Sequence, residues 1–142
     1  VQLPFEKIVN SEIETSAVAA EFSKLLNTGD LVCLNGNLGS GKTFFVKNIC
    51  KEFAIETTSS PSFAIVNEYF GNTKIIHVDF YRIKSIEELH DIGFGEYLAS
   101  MESIVFIEWA NMFEEVLPKK YYAVEISQLN ESARKIKIDW HE

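Results

Sequence analysis

The chain has 142 residues, 46% hydrophobic and 13% aromatic, a length that suits one domain with a core that needs no metal or disulfide staple. Its net charge of −8 and lack of a basic face exclude autonomous gripping of nucleic acid, which relies on clustered Lys and Arg. No apolar run approaches the roughly 20 residues needed for a membrane-spanning helix, so no membrane partner is expected.

The N-terminus, Val1-Gln2-Leu3-Pro4, lacks a signal-peptide layout, and residues 5–9 read as a short edge strand. Ser11-Glu12-Ile13-Glu14 is a capping box. It opens a helix predicted over 12–28, with Ile13, Ala17, Ala20, Phe22, Leu25 and Leu26 at roughly helical spacing and Gly29 as the C-terminal glycine. Leu31-Val32-Cys33-Leu34 reads as a buried strand, and a second helix is predicted over 42–54. A polar loop over 57–62 precedes a strand over 63–70, a turn at Gly71-Asn72 and a returning strand over 74–80. Residues 85–99 are helical but interrupted by Gly93 and Gly95, and residues 103–109 form a strongly apolar strand. After Pro118, residues 121–127 and 135–140 alternate as a late antiparallel pair. The sum is an α/β domain over 1–142, of P-loop type, with a mixed central sheet flanked by helices. Cys33 and Cys50 fall in no metal-ligand spacing and read as small core residues suited to a reducing, cytoplasmic setting.

Between the second predicted strand and helix lies Gly36-Asn37-Leu38-Gly39-Ser40-Gly41-Lys42-Thr43, which fits the phosphate-binding pattern G-x-x-x-x-G-K-[ST] in the strand–turn–helix context it requires. The glycines let successive N–H groups turn inward as an anion nest, and the following helix aims its positive end at the same point. Lys42 brings a compact charge to the phosphates and Thr43 a hydroxyl to Mg²⁺. Mg²⁺ also needs one or two carboxylates, and ligands of open α/β sheets bind at the carboxyl ends of strands. Two strands end that way, Ile75-Ile76-His77-Val78 in Asp79 and Ile104-Val105-Phe106-Ile107 in Glu108.

Several neighbours keep two readings open. His77 shares a strand face with Asp79 and is either a hydrogen-bonding support for the site or a satisfied core histidine. Trp109 either packs against the site, faces a partner or belongs to the core. The two arginines, Arg82 and Arg134, either serve the nucleotide or form surface ion pairs.

Taken together these residues resemble the TsaE (YjeE) family of small bacterial P-loop ATPases, which serve threonylcarbamoyladenosine synthesis in tRNA. The matching pieces are residues 36–43 (GNLGSGKT), 60–63 (SPSF), 77–82 (HVDFYR), 92–98 (IGFGEYL) and 107–109 (IEW), in order over nearly the whole chain. The resemblance implies that Asn37, Leu38, Gly39, Ser40, Gly41, Lys42 and Thr43 hold the phosphates of ATP, that Thr43 and Glu108 meet Mg²⁺, and that Asp79 makes an outer metal contact or orients water. It implies catalytic roles for Lys42, Asp79 and Glu108, a switch-like segment at 60–63, and an adenine side bordered by Glu12, Thr15 and Arg134. The family pattern usually has an acid where this chain carries Asn37, and commonly one where it carries Asn111; Ser62 stands in place of a threonine.

Partners implied by the resemblance are TsaD-like and TsaB-like proteins, with tRNA reached only through their complex. The expected activity is ATP hydrolysis that is slow alone and activated by the partners. A nucleotide-gated binding module with negligible turnover, or a small-molecule P-loop kinase, are the alternatives. No N-K-x-D element for reading guanine is present.

Overall fold

The computed structural model describes residues 1–37, 39–56 and 65–142. Its strands are β1 (Phe5–Val9), β2 (Leu31–Asn35), β3 (Val66–Phe70), β4 (Lys74–Asp79), β5 (Ser103–Glu108), β6 (Tyr121–Gln128) and β7 (Arg134–His141). The helices are α1 (Glu12–Ser23), α2 (Lys42–Glu52), α3 (Ile86–Asp91) and α4 (Phe94–Ala99), with tighter 3-10 turns over Phe80–Arg82 and Ala110–Val116. No described helix is long and apolar enough to cross a membrane. Leu38 and the expected switch-like segment 60–63 lie outside the described residues.

The strands form one mixed sheet in the order β1-β7-β6-β2-β5-β4-β3. Its centre, β6-β2-β5-β4, is parallel, while β7 pairs antiparallel with β6, β1 with β7, and β3 with β4. Side chains alternate between two covered faces. Val32, Leu34, Ile104 and Phe106 pack in one cluster with Phe22 of α1 and Phe45 and Ile49 of α2. Leu31, Cys33, Val105 and Ile107 pack in another with Leu89 and Phe94 of α3 and α4. All six residues of β5 are buried, as expected of a central parallel strand covered on both sides. Because the central strands run the same way, their carboxyl ends share one rim. Leu34 and Asp79 are each in register with Glu108 there.

The first helix departs from its sequence reading. The N-cap half of the capping box forms, with Glu14 N–H donating to Ser11 Oγ at 3.2 Å, while the Glu14 carboxylate reaches one residue further back and accepts the Asn10 N–H at 2.7 Å. The helix ends at Ser23, five residues short of expectation, and its buried stripe is Thr15, Val18, Ala19, Phe22 and Ser23, whereas Ile13 is 83% exposed. The hydroxyls of Thr15 and Ser23 donate to the carbonyls of Ser11 and Ala20, at 3.2 and 2.7 Å, which satisfies them in place and lets polar residues occupy the core face. Gly29 is not the C-terminal glycine of α1. Its positive φ of 94° belongs to the turn into β2, where its N–H donates to the Ser103 carbonyl at 2.8 Å.

Smaller differences follow from local chemistry. The strand expected to reach Phe80 stops at Asp79, whose carboxylate accepts the Tyr81 N–H at 3.0 Å and caps a 3-10 turn. Helicity over 85–99 breaks at Gly93, which takes φ +76° between α3 and α4.

Candidate functional site

The glycine-rich loop joins β2 to α2. Gly36 has φ +154°, and a Cβ there would lie 2.2 Å from the Ile126 carbonyl oxygen, so β6 admits only glycine at this point. Gly41 is the N-cap of α2 with φ +109°; no side chain caps the helix and no acid stands in its first turn. The first N–H groups of α2 and its positive end therefore remain directed at the loop. Ser40 Oγ, inside the loop, is buried with no hydrogen-bond partner among the described residues.

Lys42 is 4% exposed. Its Nζ donates to the carbonyls of Gly36 at 2.6 Å and Asn37 at 3.0 Å and lies 4.3 Å above the centre of the Trp109 ring. Burial lowers its proton affinity, and the carboxylates of Glu108 and Asp79 oppose that shift.

Across from it, the Thr43 hydroxyl faces both oxygens of Glu108, at 3.0 and 2.9 Å. His77 Nε2 donates to Glu108 Oε2 at 2.6 Å. Burial by itself would raise the Glu108 carboxyl. The His77 hydrogen bond and charge, with the Thr43 hydroxyl and the Lys42 ammonium, outweigh it and hold the group below its ordinary value. Asp79, in register beside Glu108, is shifted upward, first by burial and also by the Glu108 charge, against the Tyr81 N–H, His77 and Arg82. The two readings of His77 thus coincide: it is buried and satisfied, and the group that satisfies it is the acid beside the loop.

Trp109 follows Glu108 in the left-handed conformation, φ +60°. Its N–H donates to the Leu34 carbonyl at 2.9 Å, and its ring packs against Tyr81 with centroids 4.9 Å apart. The indole belongs to the rim of the site, over Lys42, and is only partly buried.

The structure also gathers residues far apart in sequence. Glu12, Thr15, Ser40, Gly41, Phe44 and Arg134 line one cleft of about 370 Å³. Arg134 Nε donates to the Ser40 carbonyl at 3.0 Å, and its Nη1 reaches the carbonyls of Asn130, Glu131 and Ala133. It braces the loop from β7, and among the described residues it forms no ion pair. On the other side of Gly36, Asn37 and Asn111, the two departures from the acidic family pattern, line a second cleft of about 410 Å³ with Trp109 and Glu125. Asn35, whose Oδ1 accepts the Asn111 N–H at 2.9 Å, and Phe44 flank the loop in the chain, whereas Glu125 arrives only because β6 pairs with β2.

A family model described as threonylcarbamoyl adenosine biosynthesis protein TsaE matches residues 9–136. Among curated relatives, the tRNA threonylcarbamoyladenosine biosynthesis protein TsaE of Rickettsia felis is 38% identical over 89% of this chain and 75% of its own length. The protein of the same name from Aquifex aeolicus is 36% identical over 97% of this chain and 98% of its own. The crystal structure of Bacillus subtilis YdiB is similar with a TM-score of 0.77 and 27% identity, covering 96% of this chain and 84% of that one. With a matching family model, relatives that align over three quarters or more of their own length, and a shared fold, the chain belongs to the TsaE family of threonylcarbamoyl adenosine biosynthesis proteins.

Proposed function

We infer that this chain is a Mg²⁺-dependent ATPase, and that hydrolysis is its contribution to threonylcarbamoyladenosine formation in tRNA. The observation that carries this reading is the hydrogen-bonded set of buried His77 and Glu108 with Thr43 at the mouth of a glycine-rich loop that also holds Lys42.

The loop fits a phosphate chain on its own geometry. Among the described residues Ser40 Oγ has no partner and no side chain caps α2, and Gly36 admits no side chain. Thr43 and Glu108 offer Mg²⁺ a hydroxyl and an ionised carboxylate. Among the described residues no group of three or more His, Cys, Asp or Glu side chains suits a metal, so phosphate oxygens and water would complete the shell. Bound Mg²⁺ would neutralise charge on the phosphates, where phosphoryl transfer depends mainly on positioning and electrostatics. Lys42 adds positive charge at the same place. His77 orients the Glu108 carboxylate and keeps it ionised. Asp79, with its raised proton affinity, contacts the metal's outer shell or orients water. The cleft of Glu12, Thr15 and Arg134 receives the adenosine side.

A net charge of −8 suits a protein that reaches tRNA through TsaD-like and TsaB-like partners and not by its own surface. The test is phosphate release from ATP by the purified chain, with Mg²⁺ or with chelator, alone and with a TsaB–TsaD heterodimer. Slow Mg²⁺-dependent turnover that the heterodimer accelerates is expected. Binding of ATP with no Mg²⁺-dependent release in either condition overturns the reading.

A further inference from the structure

The cleft beside Asn37 shares Gly36, Asn37 and Trp109 with the site described above, but the rest of its lining has no role there. It opens at the carboxyl ends of β2, β5 and β6, with Asn35, Asn37, Trp109, Asn111, Glu125 and Ser127 around it. Its frame is held in place. Trp109 sits in the left-handed conformation with its N–H on the Leu34 carbonyl, and the Asn111 N–H is tied to Asn35 Oδ1. A non-glycine residue kept in that backbone region is held there by its surroundings, and such positions concentrate at functional sites.

Of the polar groups lining the cleft, Asn35 Oδ1 is taken by the Asn111 N–H and the Gly36 and Asn37 carbonyls by Lys42, while four side chains stay uncommitted. The side chains of Asn37, Asn111, Glu125 and Ser127 make no hydrogen bond or ion pair among the described residues. The single charged side chain in the lining is Glu125, and the lining contains no arginine. The rim already shows its preference in sign: the Gly36 and Asn37 carbonyls and the Trp109 ring together take up the Lys42 ammonium. The oxygens still open are the Glu125 carboxylate, the side-chain amide oxygens of Asn37 and Asn111 and the Ser127 hydroxyl, beside the edge of the indole whose face Lys42 takes; a cation with many donors in a plane complements them. That is a guanidinium, which presents five N–H groups in a fixed fork and packs well on aromatic rings.

We propose that this cleft receives an arginine side chain from a partner protein. Resting on the ATPase reading, the consequence is specific: a guanidinium seated against Gly36 and Asn37 adjoins the phosphate loop. There it adds the positive charge that phosphoryl transfer draws on and that no arginine in this cleft's own lining supplies. Nucleotide and partner arginine then reinforce each other, because the bound phosphates strengthen the local attraction for a cation.

The cleft is tested without nucleotide, so that its failure is separable from failure of the ATPase reading. The chain has only two tryptophans, Trp109 and Trp140, so an ¹⁵N spectrum of the full chain shows one indole at the cleft and one exposed indole on β7 as an internal control. N-acetyl-arginine-N-methylamide is titrated, with the neutral citrulline and the lysine analogues alongside. The expected result is a saturable shift of the Trp109 resonance by the arginine analogue alone. Trp140 stays unmoved, and Glu125→Gln weakens binding about three- to fivefold, the size of an exposed charge pair. Equal response to citrulline, tighter binding of lysine, no saturable Trp109 shift, or an unchanged Glu125→Gln protein each overturns the proposal. ATP binding, read in parallel by thermal shift, reports separately on the phosphate loop.

Discussion

Replacing Glu108 by glutamine separates the fold from the chemistry. Glu108 is 5% exposed, faces the Thr43 hydroxyl with both oxygens and accepts from His77 at 2.6 Å. Glutamine has the same shape, keeps an oxygen for Thr43 and offers an amide to the other tautomer of His77. Each hydrogen bond falls from the charge-assisted range of about 1.5–3 kcal/mol to about 1 kcal/mol, a loss of roughly 1–4 kcal/mol over the two. Removing a buried charge returns part of its desolvation penalty, which is several kcal/mol for an ion in a protein interior. The two effects oppose, and the net change stays within about 2 kcal/mol, or roughly 6 °C in Tm for a chain of this size. Turnover has no such compensation. Losing one preorganised electrostatic group costs about 100- to 1,000-fold in rate. Mg²⁺-dependent phosphate release should therefore fall at least about 100-fold while the Tm by differential scanning fluorimetry stays within roughly 6 °C of wild type. Turnover within about threefold of wild type, well short of the 100-fold loss expected, refutes the metal role of Glu108; a collapse of Tm shows instead that the carboxylate holds the fold.

Asp79 and Glu108 predict opposite pH signatures. The folded-state value of Glu108 lies below its ordinary 4.5, so its contribution is present above that value and is lost as pH falls through the lower folded value. That of Asp79 lies above its ordinary 3.8, so ionisation works against the fold at neutral pH and the burden lifts on acidification. Asp79→Asn, which can still cap the Tyr81 N–H, should match or exceed wild-type Tm at pH 7, with the difference closing below about pH 4; a marked loss at pH 7 contradicts this. Gly36→Ala places a methyl 2.2 Å from the Ile126 carbonyl, and should lower stability by about 2–4 kcal/mol, seen as a urea midpoint lower by roughly 1–2 M; an unchanged midpoint would show that the loop relaxes freely. Burial pushes the thiols of Cys33 and Cys50 up to about 12, so iodoacetamide at pH 8 should label neither in the folded chain and both after denaturation, and rapid native labelling disproves the packing.

The phosphate loop was legible because its chemistry is local. Glycines at fixed offsets set the backbone, and Lys42 and Thr43 follow within two residues, so no distant contact is needed to read them. The apolar runs ending in Asp79 and Glu108 were legible for a related reason, since parallel central strands are buried on both faces and stop at the polar rim. The buried face of α1 was not: Thr15 and Ser23 look polar in sequence and enter the core only because their hydroxyls bond back to the preceding turn. Gly29 likewise has the place of a helix stop in the sequence, whereas its N–H pairs with the Ser103 carbonyl in the turn into β2.

By itself, then, the chain of residues determined a glycine-rich loop of the phosphate-binding pattern, two acids at strand ends and the family pattern that contains them. Tertiary structure alone decided which groups meet. The parallel register of β4 and β5 sets Asp79 opposite Glu108 and brings His77 within 2.6 Å of the same carboxylate. The strand order places Arg134, at the start of β7, against the carbonyl of Ser40. Such pairings join residues separated by 31 and 94 positions. They are set by how whole strands pack on a shared core, a collective property that no window of sequence around either residue contains.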